Sequence, residues 1–230
     1  MIPRQTLPIF PVTIPSTGKK TTFRQFTVRE EKILMQAQES EDLQVIVNAI
    51  RETIKACVEG VNLDELALFD VEYLITKIRS KSTSEVIELS LPCDADSTHP
   101  RIPVHLDLEK AEVVFPEGHN KTIELYEGSG VIMRYPTVDD IANLDGLDRV
   151  DAIAMLIESV FTPDEIYRAS ESTPAEIREY VESLTDAQLT KIKREFIDTM
   201  PRFEYTLKYK CFQCGHEHTR LVKGLANFFG

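Results

Sequence analysis

The sequence predicts an α+β protein: a small antiparallel sheet with two helical blocks and a C-terminal β-hairpin bearing a zinc-knuckle-like turn. Three observations lead there. Between Leu43 and Ile78 apolar residues recur every three or four positions, the period of one face of a helix. From Ser84 the period drops to two, as it must where strand side chains alternate between faces. Beyond Pro201 that alternation returns on both sides of a turn rich in Cys and His.

Taken in chain order, residues 1–26 read as an extended arm or edge hairpin. Pro8-Ile-Phe-Pro-Val-Thr-Ile-Pro15 turns at Ser16-Thr-Gly18, and Lys20 to Phe26 runs back. Proline donates nothing to a ladder, so such strands belong at an edge; an arm that wraps a neighbour is the alternative. Residues 27–83 form a helical block. Thr27 with Glu30 makes a capping box, which satisfies backbone donors left open at a helix start. Leu43, Ile46, Val47, Ile50, Ile54, Cys57 and Val58 draw one apolar stripe, closed by Gly60. Asn62 with Glu65 is a second capping signal, and Leu68, Val71, Ile75 and Ile78 share a face beyond it. The two helices should pack as an antiparallel pair.

Residues 84–136 form the sheet. Ile87, Leu89 and Leu91 alternate with Glu88 and Ser90, and Ile102, Val104 and Leu106 with Pro103 and His105. Val113–Phe115, Thr122–Tyr126 and Val131–Tyr135 continue it, with turns at Pro116-Glu-Gly118 and Glu127-Gly-Ser-Gly130. Residues 137–200 form a second helical block. Thr162-Pro-Asp-Glu165, Thr173-Pro-Ala-Glu176 and Thr185-Asp-Ala-Gln188 each pair a Thr cap with Glu or Gln three residues on, which predicts a run of short helices. Residues 201–230 form the hairpin and an apolar tail. Phe203, Tyr205, Leu207 and Tyr209 share one face of its first strand, and Thr219 to Val222 return. Each block alone is too small to bury much surface, so one composite domain is expected.

Composition excludes several classes of function. Lys and Arg total 26 against 38 Asp and Glu, a formal net charge of −12, which opposes non-specific binding to nucleic acid or anionic membranes. No segment approaches the roughly 20 apolar residues that span a bilayer. The proline-rich start lacks the basic and apolar regions of a secretory signal. Four cysteines are too few to staple 230 residues, which points to a reducing compartment.

The sharpest chemical signal is Cys211-Phe-Gln-Cys214-Gly215-His216-Glu-His218. Two thiolates on a tight turn can reach one metal, and Gly lets the backbone fold beneath it. A structural zinc takes four ligands, and no second Cys pair exists to complete a ribbon. His216 and His218 would close a cramped site; Cys93 and His99, in the loop between two predicted strands, are the alternative donors. A tight hairpin with reduced thiols and exposed histidines, and no metal, is the competing reading. Redox chemistry is disfavoured because this Cys-x-x-Cys joins two strands instead of opening a helix. Asp139 and Asp140, and Asp145, Asp148 and Asp151, lie near helix starts, where the dipole favours negative charge. No phosphate loop, dinucleotide fingerprint or nucleophile elbow is present, so no catalytic residue is assigned. A zinc-dependent enzyme built on the Cys and His cluster is the remote alternative, opposed by Glu217, which should point away from His216 and His218 on a strand. Leu225, Phe228 and Phe229 in the tail could plug the protein's own core or dock in a partner.

Several of these segments together resemble the baseplate hub subunit and hub-assembly family of T-even-like, contractile-tailed bacteriophages. They are Phe26-Thr-Val-Arg-Glu-Glu-Lys-Ile-Leu34, Met133-Arg-Tyr-Pro-Thr137, Phe196 to Pro201, the Cys-x-x-Cys-Gly turn and the closing Leu-Ala-Asn-Phe-Phe. The likeness runs in order along nearly the whole chain. It implies a structural or assembly protein of the tail baseplate, acting through contacts with other tail proteins and without catalysis. A hub component and a transient hub-assembly chaperone are both implied, located in the virion tail and, during assembly, in the host cytoplasm. Self-association is left open. Some members have a further cysteine pair in the middle sheet where this chain has Cys93 alone, which makes His99 or His216 a substitute ligand.

Overall fold

The structure, a computed structural model, describes residues 5–40, 42–141 and 146–223. The chain forms two compact units, Met1–Val114 with Arg202–Gly230, and Phe115–Pro201. The α+β class holds, and every strand pairing is antiparallel among the described residues.

The first unit opens with strands β1 (Ile9–Thr13) and β2 (Lys20–Arg24), paired from Ile9↔Arg24 to Thr13↔Lys20. This is the edge hairpin expected of the proline-rich start. Three helices follow: α1 (Val28–Ser40), α2 (Leu43–Cys57) and α3 (Leu68–Ser82). The Thr27 cap forms as its spacing predicts, with Glu30 accepting from the Thr27 amide at 2.7 Å and its hydroxyl at 2.6 Å. Asp42 caps α2 through the Gln44 amide at 2.8 Å. The apolar stripes face inward: Val47, Ile50 and Ile54 from α2 and Val71, Leu74, Ile75 and Ile78 from α3 are buried. Asn62 caps only a single 3-10 turn, Leu63–Glu65; α3 begins after Ala67, whose amide donates to Asp70 at 3.1 Å.

The strands expected as one sheet distribute over small separate ones. β3 (Val86–Leu91) and β4 (Ile102–Asp107) make a hairpin of their own. β5 (Glu112–Val114) instead pairs with β10 (Arg202–Lys210), which also pairs with β11 (Glu217–Lys223). Val114 stands opposite Arg202. The chain therefore leaves the first unit and re-enters it at neighbouring positions, and the second unit is an insertion.

That second unit holds β6 (Thr122–Tyr126), β7 (Ser129–Met133), β8 (Ile157–Phe161) and β9 (Ile166–Arg168) as one sheet in that order. Helices α4 (Arg149–Met155), α5 (Pro174–Ser183) and α6 (Asp186–Ile192) accompany it. Residues 137–200 are thus not wholly helical, because β8 and β9 lie within them. The Thr162 segment is a hairpin loop: the Thr162 amide donates to the Glu165 carbonyl at 2.8 Å, with Pro163 in the first corner. A Thr followed three residues later by Glu serves such a turn as readily as a helix start, and the open edge of β7 decides between them. The Thr173 and Thr185 boxes do cap α5 and α6. Ile123, Val131, Met133, Val181, Ile192 and Phe196 form the core of this unit. No helix among the described residues is long and apolar enough to cross a membrane.

Candidate metal centre

Two turns in the first unit build the site. The β10–β11 ladder runs to Lys210↔Glu217, which leaves Cys211–His216 as its tip. There the Cys211 amide donates to the His216 carbonyl and the Gly215 amide to the Cys211 carbonyl, both at 2.9 Å. Gly215 takes φ +73°, the left-handed conformation that glycine adopts without a steric penalty. The second turn joins β3 to β4. Asp96 accepts from the Thr98 amide at 2.9 Å and its hydroxyl at 2.7 Å, while the His99 amide donates to the Asp96 carbonyl at 3.2 Å. This folds His99 back toward Cys93. The Tyr209 hydroxyl then donates to the Pro92 carbonyl at 3.4 Å, and His218 Nδ1 lies 3.2 Å from the Asp94 carboxylate, so hairpin and loop are docked.

The docking gathers Cys93, His99, Cys211 and Cys214, each with a donor atom, all within 4.8 Å of one another. Cys93 Sγ is 3.8 Å from Cys214 Sγ, and Cys211 Sγ is 3.6 Å from His99 Nδ1. Cys93 and Cys211 are buried and Cys214 is exposed. Burial opposes ionisation of Cys93, but the His99 hydrogen bond and the Asp96 and Ala95 amides outweigh it, and the thiol falls to about 6. The Cys214 and Gln213 amides likewise hold the Cys211 thiol below the ordinary range against its burial. Cys214 moves up despite the His216 amide, because burial and the two neighbouring sulfurs disfavour a further negative charge. His99 is raised, chiefly by its hydrogen bond to Cys93 and then by Cys211 and Asp96. Three sulfurs and one imidazole so placed can hold a metal ion.

Of the ligands the sequence nominates, Cys211 and Cys214 enter the cluster with Cys93 and His99. His216 and His218 stand outside it. The His218 ring stacks on Tyr209 at a centroid distance of 4.7 Å, and His216 meets His218 edge-on at 4.7 Å. The reason is the register: His218 pairs with Tyr209 one step down the ladder, away from the sulfurs. Sequence reasoning missed Asp94 and Asp96, which position the loop; their signal was an Asp-rich turn between Cys93 and His99. Leu225, Phe228 and Phe229 lie outside the described residues, as does Asp145. Asp148 caps α4 and pairs with Arg178 at 3.1 Å, and Asp140 caps Thr137 and pairs with Arg134 at 2.7 Å, so these carboxylates have structural tasks. His119 is held between Thr199 and Tyr135 at 3.2 and 3.0 Å, and His105 lies exposed 4.0 Å from Glu88.

Comparison with known proteins supplies a context. The chain is 26% identical over 210 residues to the baseplate hub assembly protein gp26 of Enterobacteria phage T4, covering 90% of each chain. No solved structure matches. The family model described as T4 bacteriophage base plate protein matches residues 7–230, which takes in both units and both turns of the Cys–His cluster. Over that span of the sequence, the chain belongs to the T4 bacteriophage base plate protein family.

Proposed function

We propose that this protein helps to build the central hub of a contractile-tail baseplate, as a hub component that works by binding other baseplate proteins. The observation that carries this reading is the near full-length similarity to a baseplate hub assembly protein. Features of the surface support it. Edge strand β9 exposes Ile166 and Tyr167, and α1 exposes Val28 and Met35 seven residues apart on one face. Apolar side chains on an open edge and a helix face are means of protein recognition. The Cys–His cluster suits the same role, since four protein donors would leave a tetrahedral ion no free position for a substrate.

A transient assembly factor is the second reading, favoured by the relative's description as an assembly protein. Quantitative mass spectrometry of purified mature tails separates the two. A fixed number of copies per tail is the result expected of a hub component. Absence from tails, with a soluble complex containing one tail protein in lysates blocked in tail assembly, would establish the transient factor. Neither incorporation nor such a complex would overturn both.

A further inference from the structure

We infer that Cys93, His99, Cys211 and Cys214 bind one zinc ion as a closed structural centre that fastens the β3–β4 loop to the tip of the β10–β11 hairpin. The inference is independent of the proposed hub role.

Geometry carries it. In a tetrahedral site with Zn–S near 2.3 Å and Zn–N near 2.05 Å, paired sulfurs lie about 3.8 Å apart and sulfur and nitrogen about 3.6 Å apart. The Cys93–Cys214 and Cys211–His99 separations are 3.8 and 3.6 Å, which match two opposite edges of that tetrahedron. All four donor atoms lie within 4.8 Å of one another, so one centre serves them all.

The surroundings are those of thiolate ligands. Backbone amides of Ala95 and Asp96 approach Cys93, those of Gln213 and Cys214 approach Cys211, and that of His216 approaches Cys214. Amides aimed at sulfur stabilise the negative charge that zinc binding requires. Asp96 lies 3.5 Å from His99 Nε2, so Nδ1 is left to face the ion while the carboxylate sets the tautomer. A Cys93–Cys214 disulfide would use neither Cys211 nor His99, although the fold brings all four together. Soft sulfur with one imidazole in tetrahedral array selects zinc over the oxygen-preferring cations. With three Cys and one His the coordination shell is complete, which marks a structural site. The ion would bridge residues 121 apart in the chain and join the Cys211–His216 tip to the ten-residue loop between β3 and β4.

The test uses the full chain, produced in reducing medium with added zinc and freed of any histidine tag. Elemental analysis should find one zinc per chain that survives dialysis, and X-ray absorption should find three sulfurs and one nitrogen around it. Cys93→Ser and Cys214→Ser should each weaken zinc retention by roughly tenfold or more, while His216→Ala keeps it. Measurements on the unsubstituted protein keep the test decisive even if a variant misfolds. Protein that is folded with four free thiols yet takes up no zinc on titration would overturn the inference. So would iron as the resident metal, or zinc bound with two nitrogens and lost on His216→Ala.

Discussion

Glu30 shows how one residue joins three pieces of the first unit. Burial alone would raise its pKa, but the Thr27 hydroxyl and amide and the Arg24 guanidinium, 3.1 Å away, hold the carboxyl at about 2 against an ordinary 4.5. Because the folded state lowers this pKa, the stability it contributes is complete above the ordinary value and is lost as pH falls through about 2. Glu30→Gln should therefore cost on the order of 2 kcal/mol at neutral pH and flatten the loss of stability between about pH 5 and 2. Denaturant midpoints of both proteins across that range check it. An unchanged acid slope would show that Glu30 is not the group responsible. Asp70 plays a comparable part on α3. It accepts from the Ser16 amide at 2.9 Å, the Ser16 hydroxyl and the Ala67 amide at 3.1 Å, which ties the N-terminal hairpin to the helix start. Asp70→Ala strands these donors, so a loss of about 2 kcal/mol is expected. Faster hydrogen exchange in residues 9–24 than elsewhere in the unit would locate the effect, and uniform exchange would contradict it.

At the scale of elements, the β6–β7–β8 sheet depends on one small residue. A Cβ on Gly130 would overlap the Ile123 carbonyl oxygen and come within 2.8 Å of the Phe161 ring and 2.9 Å of the Glu124 Cα. Backbone cannot withdraw as the end of a side chain can, so Gly130→Ala should cost about 3 kcal/mol or more. Its signature is a lower thermal midpoint with loss of protection in β6, β7 and β8. Normal stability would mean that β6 sits further from β7 than this register places it. The hairpin of β8 and β9 bears on how sequence is read. Its Thr162-Pro-Asp-Glu165 corner carries the residues of a helix cap, as do Thr173 and Thr185, yet only the latter two begin helices. A cap signal describes how four residues satisfy their own backbone; it does not say whether a helix or a strand follows.

For the whole molecule, the insertion of Phe115–Pro201 between β5 and β10 sets the organisation. The inserted unit has its own four-stranded sheet and a core that includes the fully buried Phe196. Segments with a private core and adjacent ends fold as independent units. Residues 115–201 expressed alone should give a cooperative thermal transition and dispersed amide signals, and Phe196→Ala should abolish or lower that transition by about 3–5 kcal/mol. A disordered fragment would show that the insertion folds only in the context of the full chain.

What the sequence determined by itself was local. Its periods identify α2, α3, β3, β4 and β10, its caps place the starts of α1, α5 and α6, and Cys211-Phe-Gln-Cys214-Gly215 marks a turn able to offer two sulfurs. Each of these signals lies within a single element, so local backbone chemistry and side-chain periodicity make it readable. Tertiary structure decided what lies across the chain: that β5 leaves its neighbours for β10, that β8 and β9 occupy a stretch that reads as helical, and that Cys93 and His99 complete the cluster in place of His216 and His218. Those outcomes depend on which sheet edge is open and on how a distant loop docks. No spacing within the chain encodes a meeting of residues 121 positions apart.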